Sequence, residues 1–269
     1  MPETTKFPTE VIDLPSRGRF YNKDNPLSNG QVELKYMTAK EEDILTSETL
    51  IKKGIVVDYL LRELIVDKKV KLDEMLLGDK NAILISARIL AYGKQYKFQG
   101  TNSNEEMEEF EVDLSKIEEV DIDYDSFTID ENGEVEYKLP QTERVIKFRV
   151  MTSGQMDKVD AETKALQKVS EIDRTLTTRL KSQITEVDGN RERKVINNFV
   201  DNELFSIDSL SLRAYIMSVT PDLEMIVKVT DKYGEEIDAA VPLTAEFFWP
   251  SSWVSCRVTR TNISINIPL

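Results

Sequence analysis

The strongest constraint on this chain is that it says much the same thing twice. Sliding residues 79–114 by 129 positions places Asp79 on Asp208, Ile83 on Leu212, Leu90 on Val219, Phe98 on Val227, Thr101 on Thr230 and Val112-Asp-Leu114 on Val241-Pro-Leu243. Identity is low. The apolar pattern and the order of elements carry the match. The repeat extends upstream at an offset of 114: Val32, Leu34 and Tyr36 alternate with charged residues and run into Met37-Thr38-Ala-Lys-Glu41, and Ile146, Phe148 and Val150 run into Met151-Thr152-Ser-Gly-Gln155. Each copy reads as an amphipathic strand entering a capping box, in which a Thr caps the helix and a Glu or Gln three residues on reaches back to the cap amide. The second copy holds about 15 more residues in its middle. The competing reading is that any α+β chain can contain two similar strand–helix pieces.

The expected architecture is therefore α+β, with two similar strand–helices–hairpin units in tandem joined by a β-meander. An extended arm (1–30) precedes the first unit (31–125). A connecting hairpin (126–143) leads to the second unit (144–250), and a β-rich tail (251–269) follows. In the first unit, Thr38 starts a short helix and Val57, Leu60, Leu61 and Leu64 place another ending near residue 66. Asp79 is expected to cap a helix that Gly93 stops, followed by a hairpin with strands near 96–98 and 110–114. Asn132-Gly133 predicts a hairpin between strands at 126–129 and 135–139. The stripe Ala165, Val169, Ile172, Leu176, Leu180, Ile184 and Val187 predicts one long helix from about 154. A helix over 193–204, a second Asp-capped helix from Asp208 through Val219, and a second hairpin (225–229 and 237–241) complete the unit. Ile263, Ile265 and Ile267 alternate as a strand, closing on its own domain or augmenting a partner's sheet.

Composition closes off several chemistries. There is no histidine among the 269 residues, so no Ser-His-Asp triad, His base or His-ligated metal can form. Single Cys256 makes no internal disulfide and reads as a strand-packing thiol. No nucleotide-binding or nucleophile-elbow motif is present. The net charge is −14, and residues 101–125 alone hold eleven Asp/Glu against one Lys. That surface repels phosphate backbones, so nucleic acid is not an expected partner. Asp121, Asp123 and Asp125 alternate as on a strand, without the EF-hand spacing. No apolar run reaches membrane-spanning length, so no membrane insertion is expected. The N-terminus has no signal-peptide pattern, which places the chain where it is made. Catalytic, cofactor and metal residues are all expected to be absent. Leu14, Phe20 and Tyr21 in the arm, and the cluster Phe247, Phe248, Trp249 and Trp253, are the expected partner contacts.

Five collinear stretches carry a resemblance: Leu14-Pro-Ser-Arg-Gly-Arg-Phe-Tyr21, Tyr36-Met-Thr-Ala-Lys-Glu-Glu-Asp-Ile-Leu45, Leu77-Gly-Asp-Lys-Asn-Ala82 with Arg88-Ile-Leu-Ala-Tyr-Gly93, Ile184-Thr-Glu-Val-Asp-Gly189, and Ala245-Glu-Phe-Phe-Trp-Pro250. Together they resemble the baseplate hub and hub-assembly proteins of T-even-type contractile-tailed bacteriophages, over roughly residues 10–250. The resemblance implies a non-enzymatic structural or assembly role, with other hub or tail-tip proteins, and the tape-measure protein as a further candidate, as partners. It implies the host cytoplasm during assembly and the virion tail baseplate if the chain is retained. The alternatives are a transient assembly chaperone absent from the virion, and a degenerate zinc-ribbon nucleic-acid binder. Some relatives carry a CxxC knuckle in each hairpin loop. Here Thr101 and Asn104, and Thr230 and Tyr233, stand at those places, and none can replace a zinc thiolate. Two metal-free hairpins are expected.

Overall fold

The computed structural model describes residues 8–168, 171–243 and 245–248. It is α+β, with small antiparallel sheets and eight helices among the described residues. Strands β1 (Thr9–Asp13) and β2 (Gln31–Lys35) form an antiparallel hairpin. The expected extended arm is thus, over residues 9–13, the first strand of a sheet. Leu14 and Phe20 in its loop are buried, whereas Val11 faces out. Proline punctuation hides the pairing, because the partner lies beyond a 14–30 loop.

After β2 come helices α1 (Ala39–Leu45), α2 (Glu48–Lys52), α3 (Val56–Leu64) and the central α4 (Leu77–Tyr92), then the hairpin β3 (Gln95–Thr101) and β4 (Met107–Asp113). Glu41 forms the expected box at α1. Its carboxylate accepts from the Thr38 amide at 2.9 Å and the Thr38 hydroxyl at 2.6 Å. Burial opposes ionisation of Glu41, but the hydrogen bonds from Lys35 and Thr38 prevail and hold it at about 2. Gly93 ends α4 at φ +83°, a conformation that favours glycine.

The second half opens on a hairpin of β5 (Glu134–Lys138) and β6 (Val145–Arg149), closed by a loop starting at Leu139-Pro140. The expected strand over 126–129 reduces to a single bridge, Ile129 to Val135. In place of the expected alternating strand, residues 121–123 are irregular and a turn follows at 124–125, where the Asp123 carboxylate accepts from the Asp125 amide.

Thr152 and Gln155 form the second capping box, at the head of α5 (Ser153–Gln167). The expected long helix starts in place but α5 ends at Gln167; residues 171–174 are not helical, α6 (Thr175–Gln183) follows, and the chain then enters β7 (Ile184–Val187), which pairs with β6. Ile184, Thr185 and Val187 are β-branched, and Ile184 and Val187 are fully buried against β6. Helix α7 (Arg193–Asn198) continues through a single π turn over 199–203, and α8 (Ser206–Val219) leads to the hairpin β8 (Ile226–Thr230) and β9 (Glu236–Ala240). Among the described residues, no helix is long and apolar enough to cross a membrane.

Two hydrophobic cores form, and each draws on both halves. The first gathers Leu14, Leu34, Leu60, Leu61, Ile83, Phe98 and Phe110, and takes in Val229, Ala239 and Val241 from the far hairpin. The second gathers Phe148, Ile184, Phe199, Leu212 and Ile216, and takes in Phe20 and Leu76 from the first half. This exchange makes one body of the two halves.

Candidate functional site

Three constellations stand out, and each has a counterpart in the other half. The first is a buried carboxylate in the opening turn of a long helix. Asp79 in α4 accepts from the Ser16 amide at 3.0 Å, the Ser16 hydroxyl at 2.7 Å and the Tyr21 hydroxyl at 2.7 Å. Asp208 in α8 accepts from the Gln141 amide at 2.8 Å, the Thr142 amide at 3.1 Å and the Thr142 hydroxyl at 2.7 Å. Both sit at the third helical position, with Leu76 and Phe205 at the N-cap positions, so neither is the cap that the sequence suggests. Each instead clamps a loop that begins Leu-Pro (Leu14-Pro15, Leu139-Pro140) and turns at positive φ, at Arg17 and Gly18 in the first and at Glu143 in the second. Burial pushes the Asp79 carboxyl up, against the pull of its hydrogen bonds, and burial beside Asp79 pushes the Tyr21 phenol far up. These groups are held in structural bonds. Glu134 is similar: fully buried, it takes both Arg191 nitrogens, at 3.1 and 2.8 Å, and pairs with Arg149 at 3.0 Å.

The second constellation joins the two hairpin tips. Asn102 accepts from the Asn104 and Glu106 amides, and Asp231 accepts from the Tyr233 and Glu235 amides, so each tip is wound around one Asx side chain. The tips then clasp each other. Asp231 accepts from the Ser103 amide and hydroxyl, Glu108 from the Lys232 amide at 2.8 Å, and Glu106 from the Lys232 amine and the Tyr233 hydroxyl. The Ser103 hydroxyl is the main reason the Asp231 carboxyl falls to about 2. The positions of the expected vanished knuckles therefore lie in or beside this polar clasp. Glu106 and Glu108 of the acidic run at 101–125 face the chain's own Lys232.

The third constellation is an asymmetry. The outer face of α4 carries Gly78, Asn81, Leu84, Ile85 and Arg88. All are buried except the half-buried Asn81. A Cβ on Gly78 would lie 2.0 Å from the Pro221 carbonyl oxygen; Asn81 donates to Asp222 at 3.0 Å, and Arg88 Nε donates to the Phe247 carbonyl at 3.0 Å. The same positions of α8, shifted by 129, are Ile207, Leu210, Arg213, Ala214 and Met217, and all five are exposed. Ile207 is 54%, Leu210 55% and Met217 76% exposed, and the neighbouring Phe205 is 56% exposed.

Of the expected partner contacts, Leu14, Phe20, Phe247 and Phe248 are buried in this chain's own cores. Tyr21 is half-buried and bonded to Asp79 and to the Leu76 amide. Trp249, Trp253, Cys256 and the expected tail strand lie outside the described residues. The sequence signal for the exposed α8 stripe is that apolar residues lie on all sides of the helix. Among the described residues no group of three or more Cys, Asp or Glu is placed to hold a metal ion. Comparison with protein-family models, curated proteins and solved structures returns no match.

Proposed function

We propose that this chain is a tandem repeat of two strand–helices–hairpin units that acts, without enzymatic chemistry, as a docking component of a contractile-tail baseplate, at its central hub. The repeat is supported by the paired capping boxes, the paired Leu-Pro loops, and Asp79 and Asp208 at matching helical positions with matching duties. On this reading the hairpin β1–β2 is the counterpart of β5–β6. Each unit then begins one strand earlier than the sequence pattern alone suggests.

The observation that carries the docking role is the bare apolar face of α8, whose twin on α4 is covered. The buried carboxylates are committed to holding loops. Among the described residues, the α8 stripe is an apolar surface that the fold leaves open to outside contact. The placement in a tail baseplate rests on the five collinear stretches described above.

Deleting the coding sequence from the phage genome tests the assignment. Electron microscopy should then show tails arrested without a completed hub, with infectivity restored by the chain supplied in trans. Normal tails and undiminished infectivity in the deletion would refute it.

A further inference from the structure

We propose that the seam between α5 and α6 is a binding site for a carboxylate, the Asp or Glu side chain of a partner protein, held on the guanidinium of Arg179. Among the described residues, two buried side-chain polar atoms have no hydrogen-bond partner: Thr163 Oγ1 on α5 and Arg179 Nε on α6. Native structures leave few such atoms unpaired, and here both lie on one pair of packed helices. Met156, Val159 and Thr163 share one face of α5, at helical spacing. Arg179 Nη2 finds only the Met156 sulfur, at 3.8 Å. Other arginines of the chain have their acceptors: Arg191 takes Glu134, Arg144 takes Asp188 and Glu203, and Arg88 donates to the Phe247 carbonyl. Every Asp and Glu except Glu3 lies among the described residues, and none of these pairs with Arg179. An anion for this guanidinium therefore comes from outside the fold.

The first unit shows what this position holds when it only packs. On the tandem-repeat reading, α3 and α6 correspond: Ile65 follows α3 and bridges to Leu34 of β2, and Ile184 follows α6 and pairs with Phe148 of β6. Leu60, five residues before Ile65, is fully buried, and Arg179 stands five residues before Ile184. A leucine would fill the seam without stranding a donor. An arginine there gives up stability, and departures of that kind gather at functional sites. The unsatisfied edge of the guanidinium, Nε with Nη2, is a side that grips a carboxylate through two parallel hydrogen bonds. Met156 stands in the way, but its thioether is a weak acceptor on an unbranched, flexible side chain that can swing aside. Arg179 as a whole is only half-buried, so the seam is not sealed. A net charge of −14 disfavours a polyanion such as nucleic acid, whereas one carboxylate brings one charge to one guanidinium. On the docking reading above, that carboxylate belongs to a neighbouring tail protein.

Thermal unfolding of the full chain tests this, with glutamate capped at both ends as the probe and capped glutamine as its neutral control. Arg179→Leu should raise Tm by about 2–4 °C, because it removes a stranded donor and fills the seam. Capped glutamate should raise the Tm of the wild type in a saturable way and leave that of Arg179→Leu where it is, while capped glutamine moves neither. The side-chain Nε–H resonance of Arg179 should shift with capped glutamate and not with capped glutamine. Should Arg179→Leu fail to fold, Arg179→Met decides. The proposal is overturned by a Tm that falls or stays unchanged in both variants, by a wild type indifferent to capped glutamate, or by a resonance that answers to inorganic phosphate or an oligonucleotide but not to capped glutamate. A seam blind to glutamate would leave the baseplate role standing, since the deletion phenotype decides that. Normal tails in the deletion would refute that role and leave the carboxylate site standing.

Discussion

Replacing Gly78 by Ala separates two opposing effects of known size. Helix propensity alone predicts stabilisation, because Ala is better than Gly inside a helix by about 0.5–1 kcal/mol. The structure predicts the reverse. The new Cβ would stand 2.0 Å from the Pro221 carbonyl oxygen, 2.6 Å from the Asp222 Cα and 2.8 Å from the Pro221 carbonyl carbon. All three are main-chain atoms, so no side chain can swing away. Overpacking of this kind costs about 1–3 kcal/mol. Moving residues 221–222 aside also strains the Asn81–Asp222 hydrogen bond, worth about 0.5–1.5 kcal/mol. The net expectation is a loss of about 1–3 kcal/mol, and each kcal/mol lowers Tm by about 2–4 °C in a chain of this size. Urea and thermal unfolding of Gly78→Ala give the number. Ile207→Ala is the control at the position of α8 shifted by 129. Because that side chain is more than half exposed, the change should alter stability by less than about 1 kcal/mol. A Gly78→Ala protein more stable than wild type would refute the tight crossing at α4, and with it the contrast between the two helices.

Asp208→Ala leaves the Gln141 and Thr142 amides without their acceptor, and Asp79→Ala does the same at Ser16. Asp79→Ala strands the buried Ser16 amide and should cost about 1–3 kcal/mol, whereas Asp208→Ala frees amides of exposed Gln141 and half-buried Thr142, which water can reach, and should cost less; an unchanged urea midpoint for Asp79→Ala would show that its loop is held by something else. The hairpin clasp should be pH-sensitive. Asp231 is held at about 2 against an ordinary value of 3.8, so its stabilisation is present above about pH 4 and is lost as pH falls toward 2. The stability gap between wild type and Asp231→Asn should narrow over that range, and a gap independent of pH would contradict the assignment. Elemental analysis of the purified protein should find no stoichiometric zinc, and one zinc per hairpin would overturn the metal-free reading of both tips.

What was legible in the sequence was whatever depended on local pattern. The two capping boxes form where Thr38 and Thr152 place them, because a hydroxyl and a Glu or Gln three residues apart need no tertiary help. Helix α8 and the hairpins β3–β4 and β8–β9 also form near their expected places. The losses came where distant chain overrode local preference. Leu176, Leu180, Ile184 and Val187 keep a helical stripe, yet the last two turn into β7 because β6 offers an edge for their β-branched side chains. Asp79 and Asp208 look like caps by residue type, but loops more than 60 residues away take their oxygens. The partner contacts were the least legible. Phe247 and Phe248 are hydrophobic enough for an interface or a core, and only the fold shows that Tyr96 stacks edge-on against Phe247 inside. The reverse holds for Leu210 and Met217. Their pattern fits a buried helix, and only the fold shows that both are exposed.

The account stands or falls on whether the chain belongs to a tail. Quantitative mass spectrometry of purified particles and of tail-assembly intermediates would count it directly against hub and tube proteins. The account predicts a small, fixed number of copies tracking the hub. Absence from the particles and from every intermediate would contradict it.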